Sequence, residues 1–174
     1  MGNRSLLSNK TKKIKTYVQG TNIRKLPTLI LFSALLITAK AQEKTNKVDP
    51  EAFKRGEAIY NRTCIACHQP TGKGIPSVFP PLDGSDWLTK DPTIAIKIIL
   101  KGLQGPIKVN GVDYAQVMPA VMPALTDQEI ADVLSYVNTS WTNDLPAVSA
   151  EQVKKVRDET VTKKTPYTAA ELGK

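Results

Sequence analysis

One pentapeptide constrains this chain more than any other feature. Cys64-Ile65-Ala66-Cys67-His68 holds both cysteines of the sequence and its only histidine. Around it, the stretch from Asp49 to Trp141 is roughly ninety residues long and much of it reads as irregular. Gln69 to Asp91 contains Gly72, Gly74, Pro76, Pro80, Pro81 and Gly84, and a segment so interrupted sustains neither a helix nor a ladder. A core this small needs a staple, and long loops inside a compact domain need something to organise them. A large apolar cofactor at the centre answers both needs, and C-x-x-C-H is the attachment signature of c-type heme. Two thiols on one turn can add to two vinyl groups along one porphyrin edge, and the histidine that follows binds the iron on the proximal side.

Other readings of the motif fit less well. A redox-active disulfide expects a neighbouring βαβ pattern, and none is visible. A zinc site needs a fourth ligand, and the chain has no second C-x-x-C and no further histidine. The single histidine also excludes bis-histidine ligation. With Met1 in the leader, the candidates for the sixth iron ligand are Met118 and Met122, in Val117-Met118-Pro119-Ala120-Val121-Met122-Pro123-Ala124. A thioether is a suitable soft ligand, and a His/Met pair raises the potential into the range of a carrier. The alternative role for either is that of a gap-filling methionine.

The regular elements are short. Asp49-Pro50-Glu51 opens a helix, with Asp49 as N-cap and Pro50 at the first helical position. Pro92 to Lys101 is a second helix, ended by Gly102 and Gly105. Thr126-Asp127-Gln128-Glu129 is a capping box, followed by Ile130, Val133, Leu134 and Val137 as the stripe of an amphipathic helix. Ser149-Ala150-Glu151-Gln152 is a second box opening a helix through Arg157, and Thr168-Ala169-Ala170-Glu171 a third. Nothing reads as a strand, so the expected fold class is all-α, a few short helices joined by long loops.

The formal net charge of +8 suggests a nucleic acid or an anionic membrane as partner. Its distribution excludes that. Residues 1–41 hold eight of the 24 basic side chains and none of the 16 acidic ones; the rest of the chain is neutral by formal count. Those first residues read as a signal peptide: a basic region, the apolar run Leu29 to Ile37, then Ala39-Lys40-Ala41. The run is shorter than the ~20 residues a membrane span needs, and no cysteine near the cleavage site offers a lipid anchor. The expected organisation is signal peptide 1–41, flexible lead 42–48, heme domain 49–142 and helical tail 143–174. The mature chain would be periplasmic or secreted, with a membrane involved only if the signal segment stays uncleaved. The tail either wraps the body or docks on a partner.

From about Phe53 to Trp141 the chain resembles a bacterial class I, single-heme cytochrome c. It is most similar to those found as cytochrome c subunits or domains of periplasmic dehydrogenases and reductases. The resemblance rests on Gly56-Glu57-Ala58-Ile59-Tyr60, Cys64 to His68, Phe79-Pro80-Pro81-Leu82, Asn110-Gly111, Val117-Met118-Pro119-Ala120 and Leu125 to Val137. It implies the cytochrome c fold wrapped around one covalent heme c, held through Cys64 and Cys67 with iron between His68 and a methionine. In that family the Met-Pro step stands about eight or nine residues before the Asp of the last helix. Met118 is nine before Asp127 and Met122 five, which favours Met118; the doubled Met-Pro-Ala departs from the pattern and keeps Met122 as the alternative. The resemblance further implies that the Pro80 carbonyl accepts a hydrogen bond from His68. It also implies that Gly56 and Tyr60 lie where the first helix crosses the last, beside Tyr136. Trp87, Tyr114 and Trp141 either touch the heme propionates or pack.

A six-coordinate iron has no open position for a small-molecule substrate, so the expected function is electron transfer and not enzymatic turnover. The partners would be redox proteins: a dehydrogenase, a reductase or a terminal oxidase. Electrons would pass at the heme edge near the thioethers, ringed by Gly72, Ile75, Pro76 and the Met118 loop. One alternative is a permanent subunit of a larger oxidoreductase. The other is an open-site heme peroxidase or gas-binding protein, which requires Met118 not to bind iron.

Overall fold

Asp49 accepts a hydrogen bond from the Ala52 amide (3.0 Å) and Pro50 sets the first helical φ, so helix α1 starts at Pro50 and runs to Thr63. The computed structural model describes residues 48–121 and 125–174; the expected signal peptide, nearly all of the expected lead and Met122 lie outside the described residues. A single turn, α2 (Ile65–His68), follows α1 directly. After the irregular stretch, Asp91 receives the Thr93 amide on its carboxylate (3.0 Å) and α3 spans Thr93–Lys101. Helix α4 (Asp127–Thr139) and helix α5 (Ala150–Glu159) each begin at a complete capping box, on Thr126/Glu129 and Ser149/Gln152. Thr168 and Glu171 pair in the same reciprocal way at a 3₁₀ turn, Ala170–Leu172. Among the described residues, no helix is long and apolar enough to cross a membrane.

The sequence reading of no strands needs correction. Strands β1 (Ile107–Val109) and β2 (Val112–Tyr114) form an antiparallel hairpin pairing Ile107 with Tyr114 and Val109 with Val112. Asn110 and Gly111 form its turn, both at positive φ (49° and 81°), the backbone that a two-residue hairpin loop requires. Two three-residue strands are too short for an alternation to stand out beside the glycines and prolines that flank them.

The main packing contact is α1 across α4. Gly56 makes it possible: a Cβ there would lie 2.7 Å from the Asp132 carbonyl carbon and 2.8 Å from the Tyr136 Cβ. The close approach brings Tyr60 and Tyr136 to 5.4 Å between ring centroids, with Phe53 and Trp141 completing the cluster.

Helix α4 is not the one-sided amphipathic helix its stripe suggested. Every residue from Ile130 to Asn138 is buried. The stripe faces the interior, while α1 covers a second side and the chain after α4 covers the third. Its polar residues are all partnered. Asp132 takes Arg55 (2.6 Å) and Gln128 (2.8 Å). The Ser135 hydroxyl accepts from the Val148 amide (2.8 Å) and donates to the Val148 carbonyl (3.2 Å), and Asn138 Nδ2 donates to the Pro146 carbonyl (2.8 Å). The tail is thus fastened along α4. Helix α5 then packs Val153 and Val156 into the same apolar cluster as α1 and α4, and Arg157 ties it to Asp127 (2.6 Å).

Candidate cofactor site

Cys64 ends α1 and begins α2, its amide donating to the Tyr60 carbonyl (2.8 Å). The amides of Cys67 and His68 both turn back to the Cys64 carbonyl (3.2 and 3.0 Å). One tight turn therefore sets both thiols and the imidazole. The thiols are free of each other, and the Cys64 thiol is pushed up to about 11, chiefly by burial and then by Cys67. A thiol so protonated is a poor partner for disulfide exchange. Among the described residues, no group of three or more His, Cys, Asp or Glu side chains is placed to hold a metal by itself.

His68 is buried, and its Nδ1 lies 3.0 Å from the Pro80 carbonyl oxygen. A carbonyl can only accept, so Nδ1 carries the proton and Nε2 keeps a free lone pair. Burial lowers the pKa of the ring and the Pro80 bond opposes part of that shift, so the imidazole is held neutral. The loop reaches back to His68 through two glycines. Gly74 (φ +62°) donates to the His68 carbonyl (3.0 Å), and a Cβ on it would stand 2.8 Å from the Pro80 carbonyl carbon. Gly72 (φ +67°) leaves room for the Trp141 indole, 2.6 Å from where a Cβ would be.

His68 and Cys64 open onto an apolar cavity of about 110 Å³. Ile59 of α1, Ala95, Ile98 and Ile99 of α3, Ile107 and Val109 of β1, and Val133, Leu134 and Val137 of α4 form its walls. Among the described lining residues none is charged, and Ser85 supplies the one hydroxyl. Such a lining fits a largely apolar macrocycle. It would suit neither a phosphate-bearing nor a sugar-bearing ligand. Trp87 lines the cavity, its indole N–H donating to the Lys108 carbonyl (2.8 Å), and the Trp141 indole N–H donates to the Pro70 carbonyl (3.1 Å). Tyr114 is buried in the cluster behind Trp87.

Met118 lines the same cavity as His68. Its backbone is fixed by a two-bond bridge to Leu103, each amide donating to the other's carbonyl at 2.9 Å. Gly102 (φ +87°) ends α3 and admits this segment, since a Cβ on it would lie 2.7 Å from the Met118 carbonyl oxygen. The sequence singled out Gly102 only as a helix terminator, and Leu103 and Ser85 not at all. Nothing in their residue types marks them, because their roles come from what the fold lays against them.

Comparison with known proteins gives a consistent picture. A family model described as Cytochrome c matches residues 53–141. The chain is 40% identical over 116 residues to the cytochrome c-552 of Thermus thermophilus, covering 62% of this chain and 87% of that protein. It is 37% identical over 105 residues to the cytochrome c subunit of the quinone alcohol dehydrogenase of Gluconacetobacter polyoxogenes, covering 59% of this chain and 22% of that subunit. A gluconate 2-dehydrogenase cytochrome c subunit from Pantoea cypripedii is 37% identical over 113 residues, covering 61% of this chain and 25% of the subunit.

Proposed function

The chain belongs to the cytochrome c family, and we propose that it serves as a periplasmic carrier passing single electrons between redox enzymes through one heme held by Cys64, Cys67, His68 and Met118. Covalent heme c with its iron is the family's cofactor, and its members transfer electrons without turning over a substrate. When bound, the heme supplies the one-electron couple. Everything else is the work of the chain. Cys64 and Cys67 would hold the macrocycle through two thioethers. His68 would offer Nε2 to the iron, its ring oriented by the Pro80 carbonyl. The apolar walls exclude water, so little solvent has to reorganise when the charge of the site changes. Met118, on the wall of the same cavity, would supply the thioether that completes the iron's ligands and would leave no position for substrate, dioxygen or carbon monoxide.

The single observation behind this reading is that a neutral imidazole with a free Nε2 and a thioether share one cavity with no charged side chain among its described lining residues. Replacing Met118 by Ala should abolish the weak sulfur-to-iron band at the red end of the oxidised spectrum, lower the potential and admit carbon monoxide. An unchanged spectrum in that variant would move the ligand to Met122 or open the distal site altogether. Relatives named as subunits of alcohol, gluconate and fructose dehydrogenases support a second reading, permanent residence in such a complex. Purification of the native protein separates the two, since a carrier elutes alone and a subunit with its dehydrogenase. For export, the leader implies a mature N-terminus at Gln42. Amino-terminal sequencing of the periplasmic protein tests this, and a membrane-bound product retaining residues 28–38 would overturn it.

A further inference from the structure

Met118 is not held by its own loop alone. Leu103, which makes both backbone bonds to Met118, is also the middle member of a three-segment arrangement, and the other edge is Tyr167 from the tail. The Tyr167 amide donates to the Gly102 carbonyl (3.0 Å), and the Gln104 amide donates to the Tyr167 carbonyl (2.8 Å). The Tyr167 side chain is buried in one apolar cluster with Leu103, Trp87 and Leu172, and Met118 packs against that cluster. Lys163 and Lys97 stand over its ring at 5.1 and 5.8 Å from the centroid, and Lys163 is itself paired with Glu171 (2.9 Å).

We propose that the C-terminal segment, residues 161–174, is a positioning strap for the distal ligand: Tyr167 pins Leu103, Leu103 pins Met118, and the tail thereby sets how often Met118 leaves the iron. The inference rests on the assignment of Met118 as that ligand. Its physical basis is simple. Without Tyr167, residues 102–104 are an unsupported segment bonded on one edge only, and the Met118 backbone moves with them. An external ligand binds only the fraction of molecules in which Met118 is away, so its apparent affinity reports that fraction directly.

The test is an optical titration of the oxidised, heme-loaded protein with imidazole. Three variants accompany the wild type: deletion of residues 165–174, Tyr167→Ala, and Val153→Ala. Val153 is fully buried in the other apolar cluster and touches none of the strap bonds, so it lowers global stability without loosening Leu103. Deletion and Tyr167→Ala are expected to raise the imidazole affinity roughly tenfold, equivalent to about 1.4 kcal/mol. Both should also speed hydrogen exchange at the Gln104 and Met118 amides. Val153→Ala is expected to lower the melting temperature yet leave the imidazole affinity within about twofold of wild type. Tyr167→Ala retains the backbone groups but removes the buried ring that seats them beside Leu103, and should the deletion impair folding it alone carries the comparison. Unchanged affinity in the tail variants, or an equal rise in Val153→Ala, overturns the strap. A wild-type spectrum without the sulfur-to-iron band shows instead that the ligand assignment is at fault, and the strap falls with it.

Discussion

Replacing Gly56 by Ala should destabilise the protein although Ala is the better helix former. In the middle of α1 the exchange by itself favours the helix by about 1 kcal/mol. Against that, the new Cβ would sit 2.7 Å from the Asp132 carbonyl carbon and 2.8 Å from the Tyr136 Cβ. Both are parts of the α4 framework that no rotamer change can move. An ordinary contact needs roughly 1 Å more, so α1 and α4 must separate by about that much, in an interior with little slack. Separation loosens the ring cluster of Phe53, Tyr60, Tyr136 and Trp141. Overpacking of this kind costs about 3 kcal/mol at the upper end of its usual range, leaving a net loss of about 2 kcal/mol. For a domain of this size that lowers Tm by roughly 5–10 °C. The assay is thermal unfolding of the oxidised, heme-loaded protein followed by circular dichroism. Ala58→Gly, at an exposed position two residues on, provides the scale for helix propensity alone, about 1 kcal/mol lost. A Gly56→Ala protein melting at or above the wild-type temperature would refute the steric argument.

Two further predictions concern groups around the heme-bearing turn. Tyr60→Phe keeps the buried ring but loses the bond from the hydroxyl to the Gln69 carbonyl (2.7 Å), and should cost about 1 kcal/mol in urea unfolding; identical midpoints would show that bond to be idle. Asp83 accepts the Thr142 hydroxyl and amide, which hold its carboxyl below the usual value of 3.8. Its stabilising contribution is therefore complete above that value and is lost as the pH falls through the lower folded value. Asp83→Asn should lose stability at neutral pH and show a shallower further decline than wild type as the pH falls below about 4; parallel declines would count against the argument.

The sequence was most informative where a local rule decides the outcome. Asp49 with Pro50, Thr126 with Glu129 and Ser149 with Gln152 mark helix starts because capping is settled within four residues. The pentapeptide is legible because thiols and imidazole must be adjacent for the chemistry to work. Less was visible where the partner is distant in sequence. Leu103 looks like any leucine after a helix, and its role arises only when Met118 and Tyr167 are folded to either side of it. Ser85 is one serine among loop residues until the walls close around it. Asp132, Ser135 and Asn138 misled in a specific way. Three polar residues opposite an apolar stripe imply a wet face, yet in the folded chain that face receives Arg55 and the backbone from 145 to 148. Nothing local separates a polar residue meant for water from one meant for another strand's carbonyl.

That fully enclosed helix has a consequence for recombining this protein with others. The seam between body and tail lies along α4 itself, well before residue 143. A body borrowed from a relative with a different residue at Ser135 would leave both polar groups of Val148 without a partner when this tail is attached. The defect would be charged to a segment the exchange never altered. Conversely, this α4 stripped of its tail exposes a hydroxyl and an amide shaped for a chain that is no longer there. The two pieces are matched halves of one joint, and any exchange that keeps the joint must carry Ser135 and Asn138 along with residues 145–148.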